Sequence, residues 1–137
     1  METPGYLSIA SFNLTAAGTQ TSDETTVDLE GLLALCMQAR LVYGSGGTTL
    51  KLYVQTSLDQ GATWIDIACI VFGLASEVAA LNFSALTPKT SKVTPTDAAL
   101  TDNTAVDGIL GDRFRCKAVS TGTFAGSTTL AVGAVAR

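Results

Sequence analysis

The sequence has no histidine and few charged residues of either sign. Charged residues make up 15% of the 137-residue chain, against about 25% in a typical soluble domain. The absence of histidine removes the commonest general base and a frequent metal ligand. The motifs GxSxG, SxxK and GxxxxGK, which mark nucleophilic or phosphate-binding segments, do not occur either. We therefore expect a protein that is not an enzyme and that holds neither a cofactor nor a metal.

Basic residues are scarce as well, with eight Lys and Arg against twelve Asp and Glu and a formal net charge of −4. Nucleic-acid binding needs a clustered basic footprint. The densest cluster, RFRCK at 113–117, alternates its basic side chains along a predicted strand, which is typical of a solvated or interface-facing face. No run approaches the ~20 apolar residues of a membrane span, and no secretory signal is apparent. We expect neither a nucleic-acid nor a membrane partner.

The three cysteines, Cys36, Cys69 and Cys116, are far apart and show no CxxC spacing. Each falls inside a predicted strand, where a free cysteine behaves as a small buried apolar residue. The alternative is one disulfide or an intermolecular crosslink, because an odd number leaves one thiol over. Three scattered thiols without histidine do not make a four-coordinate zinc site.

Apolar residues recur with a period of two along most of the chain, which predicts half-buried strands. Segment 33–43 could also form a helix, but it runs into the glycine-rich loop 44–47 and then into another alternating segment, the pattern of a hairpin. We predict an all-β protein, a single antiparallel β-sandwich domain over residues 1–137, with a jelly roll as the arrangement to test. About eight strands are expected, at 7–14, 27–29, 33–43, 49–57, 64–72, 80–86, 114–120 and 127–136.

Residues 87–112 contain two of the three prolines and many turn formers, which predicts a long ordered loop. Loops of this length in a compact domain are usually functional or disordered. We expect this loop and the basic strand after it to contact a neighbouring subunit, through Pro88, Pro95, Arg113 and Arg115.

Four aspartates occur every five residues in this loop, which raises the alternative of a calcium site. Calcium prefers several carboxylate and carbonyl oxygens, but a spacing of five matches no EF-hand pattern. Aspartate is also ordinary turn chemistry, and we do not predict a metal there. The four residues are Asp97, Asp102, Asp107 and Asp112.

The stretch SLDQGATW, residues 57–64, combines a turn, a carboxylate and the only tryptophan. Its residue order resembles the Asp-box, S-x-D-x-G-x-T-W, of sialidases and other β-propellers. An aspartate in such a turn can accept backbone N–H bonds, and a glycine can adopt a left-handed conformation. We predict a structural turn without catalytic function, formed by Ser57, Asp59, Gly61, Thr63 and Trp64.

Two longer runs, GGTTLKLYVQTSLDQGATWIDIACIVF and RFRCKAVSTGTFAGSTTLAVGAVAR, resemble small β-sandwich proteins encoded among the virion structural genes of tailed bacteriophages. The resemblance spans about residues 40–137, with Gln60 where a second glycine is more usual. It implies a structural subunit located in the virion, decorating the capsid or forming part of the neck, collar or tail connector. It also implies a homo-oligomer that contacts other virion proteins.

The low charge content agrees with this resemblance, since a surface with few charges is usually covered by other protein. The alternative is a carbohydrate-binding module that aids host attachment. In that case Trp64, or the tyrosines Tyr43 and Tyr53, which we expect to be exposed, would serve as stacking platforms for sugar rings.

Overall fold

The computed structural model describes residues 5–15, 17–22 and 33–136, and these residues form eleven β-strands joined by turns and loops. No helix of the described residues is long and apolar enough to cross a membrane. The strands are β1 (Tyr6–Asn13), β2 (Gly18–Thr21), β3 (Ala34–Val42), β4 (Ser45–Gly46), β5 (Thr49–Ser57), β6 (Ile65–Phe72), β7 (Glu77–Ser84), β8 (Thr104–Ala105), β9 (Arg113–Thr121), β10 (Phe124–Ala125) and β11 (Thr129–Ala136).

The strands form two antiparallel sheets and a short two-stranded ribbon. The first sheet has the order β1-β11-β3-β7, the second has the order β2-β9-β5-β6-β8, and β10 pairs with β4. When the two-residue strands are set aside, the first strand pairs with the last, the second with the second last, and so on to the central pair β5–β6. This is a long antiparallel ribbon rolled into two sheets, the arrangement of a jelly roll. The predicted antiparallel β-sandwich is confirmed.

Most of the predicted strands agree with the observed ones to within a few residues. Segment 33–43 is a strand, β3, and not a helix. The strand predicted at 80–86 begins earlier, as β7 at Glu77. The strand predicted at 27–29 lies outside the described residues, and β2 was not predicted because its sequence, GTQT, has no apolar alternation.

One apolar core fills the space between the two sheets. Along β3, β9 and β11 every second side chain is buried, as expected for strands with one face toward a core. Burying each large side chain of this kind contributes about 1.5–3 kcal/mol. The largest fully buried apolar members are Leu14, Leu35, Leu41, Leu50, Leu52, Val54, Ile67, Phe83, Phe114, Leu130 and Val132.

The second sheet is buried on its outer face too. Along β6, seven of the eight residues are buried, including Asp66 and Cys69, which lie opposite Gln55 and Tyr53 on the face turned away from the core. The cover is the loop at residues 87–112, called the excursion below, which bonds to β5, β6 and β9. The excursion is ordered, as predicted, and it includes the short strand β8 at the edge of the second sheet.

The cysteines differ in their surroundings. Cys69 and Cys116 are buried, as predicted, whereas Cys36 is exposed on the outer face of the first sheet, so its predicted burial is wrong. All three are free thiols. Burial raises the pKa of Cys116 far above its ordinary range, which makes this thiol inert.

Candidate functional site

The turn at residues 57–64 is organised around the hydroxyl of Ser57, which is fully buried. Ser57 Oγ accepts a hydrogen bond from the backbone N–H of Gly61 at 2.8 Å and donates one to Asp59 Oδ1 at 2.9 Å. Asp59 Oδ1 also accepts the backbone N–H of Thr63 at 2.7 Å. These bonds close the connection between β5 and β6, and the structural role of Ser57 and Asp59 stays a prediction.

Two consecutive residues of this turn have left-handed backbone conformations, Gln60 with φ 59° and Gly61 with φ 95°. A glycine adopts this conformation without steric cost, but a residue with a side chain does not. The backbone N–H of Thr63 that bonds to Asp59 lowers the pKa of this carboxyl below its ordinary value. The turn thus holds an ionised carboxylate that is used for backbone bonding.

Trp64 is nearly buried and is covered by a cation. The Arg115 guanidinium carbon lies 4.4 Å from the centroid of the Trp64 ring, a cation–π arrangement. Tyr53 is buried, and Tyr43 is half-buried against Phe124 in an edge-to-face contact. The expectation of exposed tyrosines is therefore wrong, and the Trp64 ring is occupied by Arg115 instead of being open for a sugar.

The most heavily bonded polar group of the second sheet is the carboxylate of Asp66, which is only 2% exposed. The strand β6 points this carboxylate out of the core and into the excursion, where a left-handed residue, Ala98 with φ 56°, turns the backbone around it. Buried charges persist only when they are fully hydrogen-bonded. The five donors to Asp66 are Gln55 Nε2 (2.8 Å), Ala98 N (3.0 Å), Thr96 Oγ1 (2.8 Å), Ala99 N (2.9 Å) and Leu100 N (3.2 Å).

A second layer of polar contacts joins this carboxylate to the basic strand β9. Gln55 donates through Nε2 to both Asp66 and Asp97, and its Oε1 accepts from Arg115 Nε at 2.7 Å. Asp97 Oδ1 also accepts from Lys117 Nζ at 2.6 Å. These bonds, led by the one from Lys117, lower the pKa of Asp97. Arg115 and Lys117 of β9 therefore bind the chain's own excursion through Asp97.

The other aspartates of the excursion have separate partners. Asp102 pairs with Lys51 at 2.8 Å. Asp107 accepts the backbone N–H of Ser84 at 2.6 Å and the hydroxyl of Thr87 at 2.8 Å. In the described part of the chain, no group of three or more His, Cys, Asp or Glu is placed to hold a metal ion. Asp97, Asp102 and Asp107 therefore have different partners and do not meet at one centre, and Asp112 is exposed.

The four residues expected at subunit contacts fall into two groups. Pro88 and Pro95 are exposed on the excursion. Arg115 is bound to Gln55 and stacked on Trp64, and Arg113 Nη1 donates to the carbonyl of Gln60 in the turn. Both arginines therefore have structural partners inside the chain.

Sequence reasoning missed Asp66 and Gln55. The available signal was a carboxylate within the apolar run WIDIACIVF, where an aspartate is costly unless several donors surround it. The backbone donors to Asp66 lie 32 to 34 positions later in the sequence. No local pattern in the sequence links them.

The outer face of the first sheet has no comparable cover among the described residues. Arg40 is the one charged residue among its outward-facing positions, and a groove of about 470 Å³ lies there beside Tyr6, which is 77% exposed. The positions are Tyr6, Ser8, Ser11, Asn13, Ala34, Cys36, Gln38, Arg40, Val42, Val78, Ala80, Asn82, Ser84, Thr129, Ala131, Gly133 and Val135. We call this surface the bare face.

Fold and contacts together define a jelly-roll β-sandwich in which one sheet is covered by an internal loop. A scan against protein-family models and a search of curated proteins return no match for this chain.

Proposed function

We propose that this chain is a non-enzymatic structural subunit of a tailed-phage virion, which assembles as a symmetric homo-oligomer and reinforces the head or the neck, collar or tail connector. The phage assignment rests on the resemblance of residues 40–137 to such proteins. The assembly rests on the bare face, and this observation carries the proposal.

The bare face has the properties of a surface that other protein covers. Charged residues are depleted at the centres of protein interfaces, and only Arg40 is charged among its outward positions. Small and uncharged side chains dominate it, such as Ala80, Ala131 and Gly133. In symmetric oligomers every copy presents the same patch, so one such face per subunit is sufficient for assembly.

Sedimentation velocity over a wide concentration range tests the assembly. We expect the purified chain to form a discrete oligomer, and Ala131→Lys, at the centre of the bare face, to shift it toward monomer. The matched control is Ala62→Lys, which makes the same substitution at an exposed position of the 57–64 turn and should leave the oligomer intact. A wild-type chain that remains monomeric at high concentration would overturn the assembly.

The location in the particle needs a separate measurement. We expect mass spectrometry of purified virions of the encoding phage to detect this chain in many copies. Its absence from purified particles would overturn the virion assignment while leaving self-association untouched.

A further inference from the structure

We infer that two copies of this chain join edge to edge through β7, so that their first sheets become one continuous antiparallel sheet; the inference rests on the proposed self-assembly and adds a second contact to the one on the bare face. Four strands lie at the edges of the two sheets, namely β1, β7, β2 and β8. They differ in how well they are protected against pairing.

Three of these edges carry protection of the kind that prevents strand addition. β2 has four residues and β8 has two. β1 has a register shift between Ser8 and Ala10, and its Asn13 carbonyl accepts a bond from Gln20. Short edge strands and bulges are devices by which proteins blunt an exposed edge.

β7 has none of these devices along its centre. It is eight residues long, pairs with β3 without a register shift, and has one charged residue, Glu77, at its start. It contains no proline and no lysine. An edge strand that is long, regular and uncharged is a template for pairing with another chain.

The direction of the unpaired backbone groups follows from the observed bonds. Ala85 N donates to Leu33 O across the β3–β7 pair, and Ser84 N points the other way, to Asp107. Because directions alternate in an antiparallel pair, the N–H and C=O groups of Val78, Ala80 and Asn82 point to the open edge.

A second copy fits this edge about a two-fold axis at Ala80. Val78 then lies opposite Asn82 of the copy and Ala80 opposite its own equivalent, which gives about six backbone hydrogen bonds. The two Glu77 side chains lie about 20 Å apart in this register, beyond the ~8 Å screening length at physiological salt. The register is therefore self-complementary and free of like-charge contact.

The inward side of the edge offers an apolar surface to the added strand. A groove of about 210 Å³ separates β7 from β6 and β8, lined among others by Ile70, Ala79, Leu81 and Ala105. In the proposed register Leu81 of the copy lies opposite Ala79 and covers this groove. Backbone pairing and apolar burial thus favour the same occupant.

Sedimentation equilibrium of Ala80→Pro tests the pairing. Proline removes the N–H that points to the open edge, and it is tolerated in edge strands. We expect the dissociation constant of the dimer to rise at least tenfold. Ser11→Pro is the matched control, because by the same alternation the N–H of Ser11 points to the open edge of β1. This variant should change the dissociation constant of the dimer less than twofold.

The results separate this inference from the proposed assembly. A monomeric wild-type chain would overturn both, whereas a wild-type oligomer that Ala80→Pro leaves unchanged would overturn only the β7 pairing.

If Ala80→Pro fails to fold, crosslinking of Ala80→Cys in a Cys36→Ala background decides whether the β7 strands pair. Equivalent residues in a bonded antiparallel pair have Cα atoms ~5.5 Å apart, within disulfide reach. We expect a covalent dimer for Ala80→Cys and none for Ser11→Cys; no dimer for Ala80→Cys would overturn the inference.

Discussion

The outer faces of the two sheets differ in what covers them. On the second sheet, Lys51, Arg115 and Lys117 point outward and are paired with side chains from the excursion or from β5. On the first sheet, Arg40 is the one charged outward residue within the described chain, and no segment of the described residues lies over it. The chain therefore covers its charged face internally and leaves its uncharged face to solvent or to neighbours.

Most charged side chains of the two outer faces lie on the second sheet, beside the buried carboxylate of Asp66. Surface ion pairs contribute little to stability, but here they combine with a buried carboxylate that five donors surround. Each lost bond to a charged, buried group costs more than a lost surface pair. The free energy of unfolding should therefore be sensitive to single polar substitutions on the covered face, the outer face of the second sheet. It should be insensitive to such substitutions on the bare face.

The largest expected effect is that of Asp66→Ala. This change leaves five donors without their acceptor in a nearly dry site, and we expect a loss of about 3 kcal/mol or more in the free energy of unfolding. Urea denaturation measures this loss. Hydrogen exchange at the amides of Ala98, Ala99 and Leu100 should show that the excursion opens.

Asp102→Ala is the matched control for Asp66→Ala. It removes a carboxylate from the same excursion, but one in a half-exposed pair with Lys51, so the cost should be about 0–1 kcal/mol. Equal losses for the two variants would contradict the central role of Asp66.

A smaller loss is expected for Ser57→Ala in the turn. The buried hydroxyl accepts the N–H of Gly61 and orients Asp59, and removing such an acceptor costs about 1–3 kcal/mol. Thermal denaturation measures it, with Ser91→Ala on the excursion surface as the control. If Ser57→Ala left stability unchanged but abolished a binding activity, the turn would be a ligand site and not a structural element.

The smallest of these effects concerns pH. The pKa values of Asp59, Asp97 and Asp107 are all lowered by hydrogen bonds in the folded chain. A lowered folded-state pKa contributes stability above the ordinary value of about 3.9 and loses it as pH falls below that value. We therefore expect the melting temperature to fall modestly as pH drops below about 4.

Asp97→Asn should reduce this pH dependence, because the carboxyl that binds Lys117 no longer titrates. A melting temperature with the same acid dependence in Asp97→Asn and in the wild-type chain would show that this contact adds nothing to the acid sensitivity.

Much of the fold follows from the sequence, because period-two alternation is a local property. β3, β5, β9 and β11 alternate clearly and were predicted to within about two residues, and the order of polar residues in 57–64 predicts its turn. The edge strand β2 lacks apolar residues, so its pairing with β9 was not predictable.

The polar network on the covered face depends on contacts between distant residues. Lys117 and Asp97 are 20 positions apart, and Gln55 and Arg115 are 60 apart. Their meeting depends on how the excursion folds back over β5 and β9, which no local pattern specifies. For the same reason, the regular spacing of the aspartates suggested a shared metal, although Asp97, Asp102 and Asp107 bind different partners.

Hydroxyl-radical footprinting across a concentration series tests the difference between the two faces most directly. Tyr6 lies on the bare face and is 77% exposed, whereas Trp64 is 9% exposed beneath Arg115. We predict that labelling of Tyr6 decreases as the chain assembles, while labelling of Trp64 stays low at every concentration. Constant labelling of Tyr6 up to high concentration, or strong labelling of Trp64 in the folded chain, would contradict this account.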